Sequence, residues 1–260
     1  MKKPKLVVAN WKMNLSVHQA SLLVNKLDKK VQPHRSVEVV LAPSYLCLQP
    51  LSHEIDRRKF RLAAQDGYPI DGGAYTGAIS FNQLRDLVHY AIIGHSERRR
   101  YFNEGLELVR DKMASAVRNN ILPILCVGET WEERNLKETK IVLHDQVITA
   151  LSNLTSEDMQ DMVIAYEPVW AIGGHDPAKP EDIARAVEWI RYQVKDLYGQ
   201  KAADNVRILY GGSDEPEFVS SIMEVDGIDG LLVGHASLDS QQFADIIEGV
   251  YLSALGRGEG

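Results

Sequence analysis

The sequence predicts an α/β protein, a single-domain closed (β/α)8 barrel, and three observations carry that prediction. Eight short apolar runs recur along the chain, most of them continuous rather than alternating, as in parallel strands buried on both faces. Helical patterns lie between the runs, and the first strand-to-strand gaps are about thirty residues, the length of one βαβ unit. The 260 residues show neither a composition shift nor a Pro/Gly/Ser-rich linker. One barrel over 1–255 is expected, with only the end of the chain, 256–260, frayed.

The runs come in order as KLVVANW near 5–11, VEVVLAP at 37–43, FRLAAQ at 60–65 and YAIIGH at 90–95. They continue with ILPILCVGE at 121–129, MVIAYEP at 162–168, VRILYGG at 206–212 and GLLVG at 230–234. Between them, HQASLLVNKLDKKV and PEDIARAVEWIRYQVKDLYG read as helices, the second opened by Pro180 and closed by Gly199. A doubly wound open sheet is the alternative topology. It favours a glycine-rich nucleotide loop after the first strand, where this chain has Asn10, Trp11 and Lys12.

Composition narrows the function classes. Hydrophobic residues at 45% and charged residues at 25% suit a globular protein with a sizeable core. A net charge of −7 without a long basic run argues against a nucleic-acid partner, yet leaves room for an anionic ligand in one local pocket. Cys47 and Cys126 stand in apolar neighbourhoods and read as buried free thiols. The eight histidines show no metal-ligand spacing, and there is neither a Walker loop nor a GxGxxG motif, so no metal and no cofactor is expected. MKKPKLVVANWKMN has no apolar core of a signal peptide, and no run reaches the length of a membrane span. A cytoplasmic protein without membrane partners is the expectation.

In such barrels ligands bind at the C-terminal ends of the strands. Those ends carry Asn10 and Lys12, His95 and Glu97, Glu129, Glu167, Ser213, and Gly234 with His235. A lone lysine or histidine at any one of these positions is ordinary. Their convergence on one rim predicts chemistry there. Ser96 and Glu97 suit the first turn of a helix, which would start at His95.

ANWKMN, IIGHSERR, AYEPVWAIG, YGGS and LVGHASL, with GAYTG and LCVGE, resemble the motifs of the triosephosphate isomerase family, in that family's order and over about residues 6–239. The resemblance implies a TIM barrel that interconverts dihydroxyacetone phosphate and glyceraldehyde 3-phosphate through an enediolate, without a cofactor. By it, Glu167 is the carbon base, its pKa raised by a dry pocket to which Ile172 contributes. His95 is a neutral electrophile, its pKa lowered at a helix N-terminus. Lys12 supplies fixed positive charge, Asn10 a further donor, and Glu97 orients Lys12. The phosphate sits on backbone N–H groups of Gly173, Ser213, Gly234 and His235, with Leu232 on the same side. Trp170 belongs to the first hinge of a mobile lid, near Glu129, and Tyr210 is a supporting residue. A homodimer is implied, with Thr76 at the tip of the loop inserted into the partner.

The chain departs from the family pattern at three places. The lid, usually Ala-Ile-Gly-Thr-Gly-Lys, reads Ala171-Ile172-Gly173-Gly174-His175-Asp176-Pro177. His235 replaces the second of two glycines, which predicts a negative φ there and an imidazole either beside the phosphate or facing solvent. Ala78 replaces a glutamate that pairs across the dimer with the arginine matching Arg98, so that ion pair should be missing. Two alternatives stand beside the isomerase: a non-catalytic relative, which would shed Lys12, His95 or Glu167 first, and a different phosphosugar isomerase with other acid–base residues.

Overall fold

A computed structural model describes residues 3–172, 178–212 and 215–256. The eight runs form strands β1 (Lys5–Asn10), β2 (Val37–Ala42), β3 (Phe60–Ala64) and β4 (Tyr90–Ile93), then β5 (Leu122–Val127), β6 (Val163–Tyr166), β7 (Arg207–Tyr210) and β8 (Gly230–Val233). Each pairs in parallel with the next, and β8 returns to β1 to close the barrel. The helices are α1 (Val17–Lys30), α2 (Tyr45–Glu54), α3 (Phe81–Leu84), α4 (Ser96–Tyr101), α5 (Leu106–Arg118) and α6 (Trp131–Asn135). They continue with α7 (Thr139–Leu151), α8 (Pro180–Tyr198), α9 (Gln200–Asn205), α10 (Val219–Met223) and α11 (Ser240–Gly256).

The continuous apolar runs have a simple cause. Alternate residues of one strand enter different layers, and both layers are dry. Leu6 and Val8 fill the lumen with Val40, Ala63, Ile92, Ile124, Ala165 and Leu209. Val7 and Ala9 face outward, in a core shared with helix residues such as Leu27, Met113, Leu143 and Ile190. All six residues of β1 are buried. A strand with no solvent face has no reason to alternate.

Local chemistry sets the helix starts. The hydroxyl of Ser16 accepts the N–H of Gln19, whose side chain accepts the N–H of Ser16, a reciprocal cap repeated by Thr130 with Glu133. Pro180 opens α8 and Gly199, at φ 85°, ends it. Cys47 and Cys126 are buried thiols. Helix α11 runs through Gly256, one residue into the stretch expected to fray, because Phe243, Ile246, Ile247, Val250 and Ala254 anchor one face of it. Residues 257–260 lie outside the described residues. Among those described, no helix is long and apolar enough to cross a membrane.

Gly230 makes the closure possible. It has φ 150°, and a Cβ built on it would lie 1.8 Å from the carbonyl oxygen of Leu6. The last strand therefore meets the first at a distance only glycine permits. Gly230→Ala is expected to cost more than the ~0.5–3 kcal/mol typical of point substitutions. Urea unfolding checks this, and an unchanged midpoint would contradict it.

Candidate active site

The C-terminal ends of the strands bring Lys12, His95, Glu97 and Glu167 together. Asn10 closes β1, and its Oδ1 accepts the backbone N–H of Lys12 at 3.1 Å. Lys12 has φ 51°, a left-handed conformation that costs a non-glycine residue roughly 1–2 kcal/mol. The neighbouring chain holds it there. Gln65, just past β3, donates from Nε2 to the carbonyls of both Lys12, at 2.9 Å, and Ala42, at 2.8 Å. The Lys12 ammonium lies 2.7 Å from Glu97 Oε1, the pairing that the family resemblance implies.

Helix α4 begins where expected. His95 is its N-cap, and the ring Nδ1 accepts the N–H of Glu97 at 3.3 Å. A nitrogen that accepts cannot carry a proton, so the imidazole's hydrogen resides on Nε2. Nε2 lies 2.9 Å from Glu167 Oε1. Glu167 follows β6 and is 2% exposed. Its other oxygen accepts the N–H of Ser96 at 3.0 Å.

Two proton affinities follow from this geometry, and both differ from expectation. Burial pushes the Glu167 carboxyl up, but His95, the Ser96 N–H and Lys12 together outweigh it, so the group rests below its ordinary value. Burial pushes His95 down, yet the charge and hydrogen bond of Glu167, with Glu97 adding to them, outweigh it and hold the imidazole up. The raised carboxylate and the lowered histidine of the sequence reading are each corrected for this arrangement. The cause is the same in both: the two groups are in contact.

The remaining expected residues stand in their own contacts. Glu129 is fully buried, and the Trp170 indole donates to it at 2.8 Å. The Tyr166 hydroxyl also donates to it, and the Arg134 guanidinium lies 4.0 Å over the Trp170 ring. Burial raises the Glu129 carboxyl despite these partners. The Tyr210 hydroxyl accepts the N–H of Ala178 at 3.1 Å, tying down the chain just before α8. Ile172 is half-buried after the short turn Val169–Ala171. Leu232 is buried in the lumen. The carbonyl of Gly234 accepts the Ser237 hydroxyl at 2.6 Å. His235 is exposed and is not among the non-glycine residues with positive φ, as its replacement of glycine predicts. Gly173, His175 and Ser213 lie outside the described residues. Thr76 is exposed in the loop after β3.

A match to the triosephosphate isomerase family model covers residues 5–250. The chain belongs to the triosephosphate isomerase family. It is 44% identical to the triosephosphate isomerase of Clostridium botulinum strain Langeland, over 93% of this chain and 98% of that protein. It is 43% identical to that of Chloroherpeton thalassium, over 95% and 98%, and 41% identical to that of Thermoanaerobacter sp. strain X514, over 95% and 99%. Family membership makes the chain an isomerase on a TIM barrel.

Three contributors to the site escaped the sequence reading. Gln65 stands at the end of the third apolar run, one of the two strand ends passed over. Arg99, in the GHSERR motif, donates to the carbonyls of Gly94 at 2.7 Å and Cys126 at 3.1 Å, binding the ends of β4 and β5 together. Gly128 lets the Glu167 backbone approach, since a Cβ there would lie 1.7 Å from the Glu167 carbonyl oxygen.

The contact between Glu167 and His95 has a direct test. Glu167→Gln removes the charge that holds the imidazole up, so the His95 pKa, followed by NMR, is expected to fall in the variant. Glu167 itself, depressed in the folded state, contributes stability that is present above the unfolded value of ~4.3 and lost as pH falls through the folded one. The variant should therefore show a shallower loss of stability on that acid limb. An unchanged histidine titration would contradict the contact.

Proposed function

We propose that this chain interconverts dihydroxyacetone phosphate and glyceraldehyde 3-phosphate by proton transfer through an enediolate, with Glu167 as base. The observation that carries the reading is the buried Glu167 carboxylate beside the Nε2–H of His95, at the mouth that Lys12 also borders. Glu167 takes a proton from one carbon and returns it to its neighbour. The Nε2–H of His95 bonds the oxygens on those carbons, giving its proton to the former carbonyl oxygen and taking up the hydroxyl proton of the other, and the Lys12 ammonium neutralises the charge that develops there. A substrate oxygen arriving at Nε2 displaces the carboxylate from its resting partner. Burial then acts on Glu167 with less opposition, and its proton affinity rises as it is needed.

The phosphate is assigned to the backbone N–H groups of Gly173, Ser213, Gly234 and His235, with Asn10 and Leu232 beside it. The exposed side chain of His235 favours an imidazole turned to solvent. Residues 171–177 act as the lid, hinged at Trp170 on buried Glu129 and returning through Ala178 on Tyr210. Glu167→Gln is expected to lower kcat by several decades, since a positioned base is worth roughly 10²–10⁴ and desolvation adds to it. A coupled assay of triose phosphate turnover reads this directly. A variant within about tenfold of wild type would remove Glu167 from the role, and an inactive wild type would favour a binding relative.

The same reading includes a cytoplasmic homodimer. Apolar side chains crowd the segments that follow β1 to β4: Met13 is 96% exposed, and Leu46, Ile70, Tyr75, Tyr101 and Phe102 are exposed as well. A second copy burying them, with Thr76 inserted beside Lys12, accounts for that exposure. The absence of a glutamate at position 78 need not leave Arg98 uncompensated. Arg98 pairs within its own chain with Asp66 at 3.0 Å and Glu104 at 2.5 Å, and Lys112 bridges the same two carboxylates. Sedimentation at micromolar concentration is expected to show a dimer, and a fully active monomer would overturn it.

A further inference from the structure

The opposite end of the barrel holds a feature the isomerase reaction does not use. Parallel pairing sets Val39 of β2 against Phe60 of β3, and so brings two basic segments side by side at the strand entries. His34 and Arg35 come from the first; Arg57, Arg58, Lys59 and Arg61 come from the second. With Pro4 and Glu38 they line a cavity of about 250 Å³. Five permanent cations and one carboxylate meet there, in a chain whose net charge is −7.

Some of this charge is already spoken for. Arg58 pairs with Asp56 at 2.8 Å, and Lys59 with Asp28 at 3.1 Å. Arg61 lies 3.9 Å from Glu38, which also receives the Tyr90 hydroxyl and the Arg207 guanidinium. Arg35 and Arg57 form no ion pair with any described residue, and both are exposed at the cavity. The ring of His34 is stacked on Tyr251 at 3.9 Å, which fixes one wall. The excess positive field reaches His89, just before β4. Burial holds that imidazole down, and Arg61 and Arg57 push in the same direction against Glu38.

We infer that this cavity is a binding site for a small molecule carrying two or more linked phosphate groups, held mainly by Arg35 and Arg57. Two unpaired guanidinium groups call for at least two adjacent negative charges, and their planar forks match phosphate oxygens in pairs. The volume is below the ~300–1,000 Å³ occupied by drug-sized ligands, so a phosphate chain fits inside and any larger body stays in solvent. The site lies at the strand N-termini, away from the catalytic mouth at their C-termini. Occupancy is therefore independent of triose phosphate turnover.

Inorganic tripolyphosphate is the probe, measured by calorimetry near physiological ionic strength, with orthophosphate and sulfate at matched ionic strength beside it. One tripolyphosphate per chain is expected, with orthophosphate and sulfate at least tenfold weaker. The double variant Arg35→Gln/Arg57→Gln should weaken tripolyphosphate at least tenfold while leaving turnover unchanged, which also shows that it folds. Saturation should raise the His89 pKa in wild type, followed by NMR, because the ligand cancels the nearby positive field. Equal binding of all three anions, several ions per chain, or an affinity untouched by the double variant would each overturn the proposal. Competitive inhibition of turnover with no response at His89 would overturn it too, by placing the anion in the catalytic mouth.

Discussion

A carboxylate is buried at the mouth of this barrel and kept ionised by what touches it. Glu167 sits between the Nε2–H of His95 and the N–H of Ser96, two donors from the first residues of α4. Without them, burial would drive the group to its neutral form and leave no base. With them in place permanently, it would be too weak a base to take a proton from carbon. In the reaction we propose, the substrate resolves this conflict by displacing the donors. Competing for His95, that substrate would also free the carboxylate it needs.

Much of the surrounding structure serves that contact. The side chain of Arg99 bonds carbonyls at the ends of β4 and β5, which fixes where α4 begins relative to β6. Gly128 has no side chain because the Glu167 backbone occupies the space. Glu129, Trp170 and Arg134 form a second cluster on the segment that follows, so the chain leaving Glu167 starts from a rigid base. Lys12 carries backbone strain in order to aim its ammonium at Glu97, and Gln65 secures the strained carbonyl. Strain of this kind persists only where neighbours over-determine the conformation.

The barrel was legible in the chain because a strand buried on both faces reads as an unbroken apolar run, and eight such runs have one economical closure. Asn10, Lys12, His95, Glu97 and Glu167 were legible because each follows such a run. Gln65, Arg99 and Gly128 were not, for a common reason. They act through backbone carbonyls of distant residues, and only strand register reveals which carbonyls those are. The proton affinities were missed for a related reason. A helix start lowers a histidine and a dry pocket raises a glutamate, but contact between the two reverses both. The departure at Ala78 was legible as a lost partner for Arg98, whereas the replacement partners Asp66 and Glu104 come from separate parts of the chain.

Glu167 is held below its ordinary proton affinity at rest, and in the reaction we propose it is released upward when substrate takes its donors. Carboxyl 13C NMR of Glu167, titrated in the free protein and in complex with a phosphorylated mimic of the enediolate, measures this most directly. A free-state pKa below the usual carboxylate range of ~4.3, rising well above it in the complex, is the predicted result. Equal values in the two states would contradict the account.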